Sequence, residues 1–95
     1  MPSYLVEAYL AADPTALEEA RARARRAAEL VPAVRYLRTT FLPGDETCLH
    51  LFDAPSAEEL GEAARRAELR HERIVEAVET VPPGARTTTA EGARA

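Results

Sequence analysis

The sequence predicts an α+β fold of the ferredoxin-like type, one antiparallel sheet with two helices on one of its faces. Three observations predict it. Stretches of period-two alternation and of helical spacing follow one another in the order β-α-β-β-α-β. The two central strands are separated by Pro43-Gly44, a turn signal, because Pro fixes φ and Gly accepts positive φ. The two helical stretches also end alike, in Ala24-Arg25-Arg26-Ala27-Ala28-Glu29-Leu30 and Ala64-Arg65-Arg66-Ala67-Glu68-Leu69, as two strand-helix-strand halves would.

The first strand runs over Ser3–Leu10, where Tyr4, Val6, Ala8 and Leu10 alternate with Leu5, Glu7 and Tyr9. Asp13 caps the following helix, and Pro14 sits in its first turn, where a missing N–H costs nothing. Leu17, Ala20, Ala24, Ala27, Ala28 and Val31 form its apolar stripe, and Pro32 ends it. Val34–Leu42 has strand composition, with Val34, Tyr36, Thr39, Thr40 and Phe41. Thr47–Phe52 pairs with it as a hairpin. Asp53-Ala54-Pro55 breaks the chain, and Ser56 with Glu59 fits a capping box that opens the second helix. Leu60, Ala64 and Ala67 supply that helix's buried stripe. The last strand spans Glu72–Glu79. The domain is expected over residues 1–81, with a flexible C-terminal tail over 82–95, where Pro, Gly, Thr and Ala follow one another without periodicity.

Composition narrows the function. The 95 residues allow one domain. Hydrophobic residues make up 46%, but 20 of them are Ala and only ten are Leu, so the core is light and favours help from a second subunit. The net charge of −4 argues against a nucleic-acid backbone as partner, which calls for a basic face. The third strand, Thr47-Cys48-Leu49-His50-Leu51-Phe52, also lacks the basic and aromatic pattern of an RNA-recognition sheet. One cysteine excludes a disulfide framework within the chain. Met1-Pro2-Ser3-Tyr4 has no basic start or long apolar run, and no stretch approaches the roughly 20 apolar residues of a membrane span. The expectation is a cytoplasmic protein with no membrane partner.

Alternation predicts which side chains face the helices. The more apolar sets are Tyr4, Val6, Ala8 and Leu10; Leu37, Thr39 and Phe41; Leu49 and Leu51; Val75 and Ala77. The opposite face then carries Glu7 and Tyr9, Tyr36 and Arg38, Cys48, His50 and Phe52, and Glu76. With strand order 4-1-3-2, Glu76, Glu7, His50 and Arg38 become neighbours inside an apolar frame. Such a face favours a homodimer with its sheets packed together, as in dimeric α/β barrels, around a sheltered hollow. In that hollow Glu7, His50 and Glu76 read as acid–base catalysts or as ligands of a divalent metal ion. They read equally as a histidine with a structural hydrogen bond and carboxylates paired to Arg38. Arg38, Tyr9, Tyr36, Cys48 and Phe52 are the candidate ligand-binding residues, with core filling as the alternative for the aromatics and Cys48. Two functions follow: a small homodimer binding a metal ion or small molecule on that face, or a small-molecule isomerase, cyclase or lyase using Glu7, His50 and Glu76.

Several stretches carry a family resemblance: Pro2-Ser3-Tyr4-Leu5-Val6-Glu7, Val34-Arg35-Tyr36-Leu37-Arg38, Cys48 through Ser56, and Glu72 through Val78. Over residues 2–79 the chain resembles small bacterial ferredoxin-like proteins of unknown function, some of them described as nickel-binding. The resemblance implies a ferredoxin-like sheet, a homodimer and nickel as cofactor. Metal-binding relatives look to carry His at the position of Glu7 and further His in the second helix, where this chain has Ala63, Arg66 and Ala67.

Overall fold

A computed structural model of the chain describes residues 1–80, 82 and 83. The expected tail over 82–95 therefore lies outside the described residues except for its first two prolines. The elements are β1 (Ser3–Tyr9), α1 (Pro14–Leu30), β2 (Arg35–Leu42), β3 (Thr47–Asp53), α2 (Ala57–Arg66) and β4 (Arg73–Ala77). All neighbours pair antiparallel in the order β2-β3-β1-β4, the two βαβ halves interleaved as a ferredoxin-like sheet.

Local chemistry sets the helix boundaries. The Asp13 carboxylate accepts from the Thr15 amide at 3.0 Å, and Pro14 follows at the first helical position. Ser56 Oγ accepts from the Glu59 amide at 3.1 Å, the expected first half of the capping box. At the end of α2 the Leu69 amide reaches the Ala64 carbonyl at 2.8 Å, and the Glu68 amide reaches the Arg65 carbonyl at 3.1 Å. This paired closure puts Glu68 in the left-handed region, at φ 59°. A β-carbon is costly there, so Glu68→Gly is expected to stabilise the fold by about 0.5–1 kcal/mol, read as a higher midpoint in thermal unfolding.

The core lies between the helices and one sheet face. Val6, Ala24, Ala27, Val34, Phe52, Ala54, Leu60, Ala63, Ala64, Ala67 and Leu69 are buried there, with Tyr4, Tyr36 and Ile74 packed against them. Alanines supply most of the helical contribution. Their small side chains let α1 and α2 approach each other and the sheet closely, leaving Phe52 and Leu60 as the largest apolar groups in the centre.

Register settles the two faces, because residues paired across strands project to the same side. Val6 is opposite His50 and Ile74, so His50 lies beneath the helices with the core. Leu5 is opposite Leu51 and Val75, and Glu7 is opposite Leu49 and Arg73; these form the open face. The expected faces of β3 and β4 are therefore inverted. Cys48, His50 and Phe52 point toward the helices, and Leu49 and Leu51 away from them. The expectation sent the most apolar residues inward, but both faces of this sheet are apolar. In β2, a bulge between Tyr36 and Arg38 inserts Leu37. Tyr36 thereby joins the helix side together with Thr39 and Phe41, while Arg38 and Thr40 stay on the open side.

Candidate functional site

The sequence-based candidates separate into two groups. Beneath the helices, Tyr36, Cys48, His50 and Phe52 come together. His50 is fully buried, yet both its ring nitrogens have partners. Thr39 Oγ1 lies 2.7 Å from Nδ1, and Cys48 Sγ lies 3.5 Å from Nε2. Tyr36 Oη is in turn hydrogen-bonded to Thr39 Oγ1. The rings of Tyr36 and Phe52 pack with centroids 5.4 Å apart. Desolvation pushes the His50 pKa down from 6.5 to about 4, so the imidazole is neutral at pH 7. Burial also pushes the Cys48 thiol up, which keeps it protonated and weakly nucleophilic. His50 thus sits in a satisfied buried network rather than in an open hollow.

On the open face, Glu7 and Arg73 form a two-pronged cross-strand pair, with Nε to Oε1 at 2.9 Å and Nη2 to Oε2 at 3.3 Å. Arg38 from β2 meets Glu79, which follows β4, at 2.8 Å. Since β2 and β4 are the two outer strands, this contact carries the chain back across the open side of the sheet. Between the two pairs lie Leu5, Leu49, Leu51 and Val75. Tyr9 stands at the end of β1, 65% exposed, and donates its hydroxyl to Glu46 Oε1 at 2.6 Å.

The expected quartet is therefore not assembled in one copy of the chain. Glu7 and Arg38 are on the open face, His50 is on the other side of the sheet, and Glu76 is exposed on the edge strand opposite Tyr4. Pairing with Arg73 and Glu79, rather than with each other, accounts for the ionic groups of the open face. Phe52 belongs to the core, not to a ligand-facing surface. Sequence reasoning missed Thr39 as a partner of His50 and Arg73 as the partner of Glu7. Arg73 at the start of a strand was visible as a charge, but only register puts it beside Glu7. Thr39 was on the correct face; the error in β3 hid its neighbour.

The described residues contain no group of three or more His, Cys, Asp or Glu side chains able to hold a metal ion. Cys48 and His50 supply two soft donors in a closed interior, and Glu7 and Glu76 are remote from them. A divalent cation with four or more ligands does not fit this donor set within one copy. No helix among the described residues is long and apolar enough to cross a membrane.

Among the described residues, four hollows stand out on the surface. One of about 380 Å³ runs along the outer edge of β2, between Leu17 and Arg21 of α1 and Tyr36, Arg38, Thr39 and Phe41. The others, of about 470, 500 and 400 Å³, surround the α2–β4 connection and are lined by mixed charges that include Glu19, Glu68 and Glu58.

Topology, register and helix placement define a ferredoxin-like α+β protein. A family model described as nickel responsive protein SCO4226-like matches residues 4–77, and the chain belongs to this SCO4226-like family. Among solved structures it is similar to the crystal structure of SCO4226 from Streptomyces coelicolor A3(2), with a TM-score of 0.68 and 20% identity. That match covers 83% of this chain and 99% of the other, and at this identity it speaks for the fold. No curated relative matches the sequence.

Proposed function

We propose that the protein works as a homodimeric binding protein whose two copies meet through the open faces of their sheets, holding a small molecule or a metal ion between them. The observation that carries this reading is the open face. Leu5, Leu49, Leu51 and Val75 form an apolar centre on the face turned away from the helices, Leu51 buried and the other three half-buried, and Glu7–Arg73 and Arg38–Glu79 lie at its margins. An apolar patch with a charged border is the composition of an association surface. The alanine-rich core supports the same reading, since a chain this short gains stability by burying a second surface. The family's nickel-responsive description favours a metal as one ligand class. Because the described residues of one copy lack a sufficient donor set, the metal version of this reading draws on donors from two copies.

The test is the mass of the protein in solution by size-exclusion chromatography with light scattering. A dimer is expected, with Leu49→Arg giving a folded monomer, because two buried guanidinium groups at the interface would be unpaired. A monomeric native chain overturns the reading. Calorimetric titration with nickel, zinc and cobalt separates the ligand classes. Binding that disappears in the Leu49→Arg monomer supports the metal version, and no heat from any of the three removes it.

A further inference from the structure

The groove at the outer edge of β2 lies beside α1 and shares only Arg38 with the open face, and its chemistry differs from that of the other three hollows. In a protein of net charge −4, it is the one of the four with no carboxylate among its lining residues. Its two lining charges are both guanidinium groups, Arg21 from α1 and Arg38 from β2. Leu17 and Phe41 provide apolar wall, and Tyr36 and Thr39 provide hydroxyls. Its volume of about 380 Å³ suits a small ligand.

The hydroxyls are the outer end of the buried network. Thr39 Oγ1 contacts His50 Nδ1 at 2.7 Å, and Cys48 Sγ lies 3.5 Å from Nε2. Each hydroxyl both donates and accepts, and neutral imidazole carries its proton on either nitrogen. The chain of bonds can therefore run in two directions. With the proton on Nε2, Tyr36 donates to Thr39, and Thr39 donates to Nδ1. With the proton on Nδ1, His50 donates to Thr39, Thr39 donates to Tyr36, and the Cys48 thiol donates to Nε2. In the second direction the Tyr36 proton is left without an acceptor inside the network and is available to the groove.

We propose that this groove binds a small organic carboxylate, with its anion between Arg21 and Arg38, the Tyr36 hydroxyl donating to it, and its apolar part against Leu17 and Phe41. Arg21 and Arg38 are now paired with Glu18 and Glu79, each at 2.8 Å. All four side chains are more than 40% exposed, and exposed pairs of this kind contribute little and exchange partners readily. A carboxylate that gains two guanidinium groups and a hydroxyl in a partly dry groove replaces them with stronger bonds. Binding selects the second direction of the network, so the proton of the neutral His50 ring is held on Nδ1 without a change in the charge of the ring.

Titration of the full-length protein with sodium benzoate, followed by amide and imidazole nitrogen NMR, tests the site. Saturable shifts are expected at Leu17, Tyr36 and Thr39, together with an Nδ1-protonated signature for His50. Tyr36→Phe, which keeps the packing against Phe52, is expected to weaken benzoate by about tenfold, as is Arg21→Gln. Benzamide, the uncharged analogue, is expected not to saturate the site. No saturable shift with benzoate or acetate overturns the proposal, and so does equal binding of benzoate and benzamide. Equal affinity of the native protein and Tyr36→Phe overturns the role of the hydroxyl network. Arg21 and Tyr36 lie outside the proposed dimer face, so loss of binding in Arg21→Gln or Tyr36→Phe is read separately from the oligomeric state, which light scattering reports for each variant.

Discussion

Phe52→Ala is expected to lower folding stability by about 3–5 kcal/mol, the range for deleting a fully buried aromatic ring. The ring is 0% exposed, packs against Tyr36 and belongs to the cluster that includes Val6 and Leu60. The core around it is built largely of alanines, whose short side chains cannot swing into the vacated space. Relaxation is therefore limited and the cost lies toward the upper part of that range. For a domain of this size the midpoint of thermal unfolding, followed by circular dichroism, should fall by about 15 °C or more. Tyr9→Ala, at a position 65% exposed, serves as the contrast and should change little. A small effect at Phe52 would put this side chain on the open face, and with it the whole alternation of β3.

Acid should destabilise the protein through His50. In the folded chain the imidazole keeps its neutral form down to about pH 4, whereas in the unfolded chain it takes up a proton near 6.5. Between these values the unfolded state binds more protons, so stability falls as pH falls from 6.5 to 4 and changes no further for this reason below that range. At about 1.4 kcal/mol for each pH unit between the two values, the loss is about 3 kcal/mol. Above pH 6.5 the contribution is flat. Denaturant unfolding at a series of pH values measures it. Other groups add their own slopes, so the useful quantity is the difference between the native protein and His50→Gln, which retains polar atoms but does not titrate. The native curve should be steeper over this window by that amount. Parallel curves would mean that His50 is hydrated in the folded state.

The same residues show what the sequence did and did not disclose. Element order and type were legible because period-two stretches, the Pro43-Gly44 turn and the caps at Asp13 and Ser56 are local signals. Strand order followed from the connection of two βαβ halves. The facing of β1 was also legible, since Val6 and Ala8 contrast clearly with Glu7. In β3 that contrast is weak: Leu49 and Leu51 compete with Cys48 and Phe52, and His50 looked like an outward residue. Its interior position depends on Thr39 and Cys48 satisfying both ring nitrogens, which is a property of register and not of composition. Glu7 presents the reverse case. Its pairing with Arg73 depends on the alignment of β1 with β4, separated by more than 60 residues in the chain.

Leu37 has a consequence for how this edge of the sheet could change. A bulge resets the phase of a strand, so β2 enters it with one parity and leaves with the other. Removing that single residue would let Arg38 follow Tyr36 directly opposite Leu51 and Phe52, restoring regular alternation while Tyr36, Thr39 and Phe41 keep their facing. A one-codon deletion at Leu37 thus irons the edge strand flat without inverting any of it, whereas inserting a residue elsewhere in β2 would turn half of its side chains over.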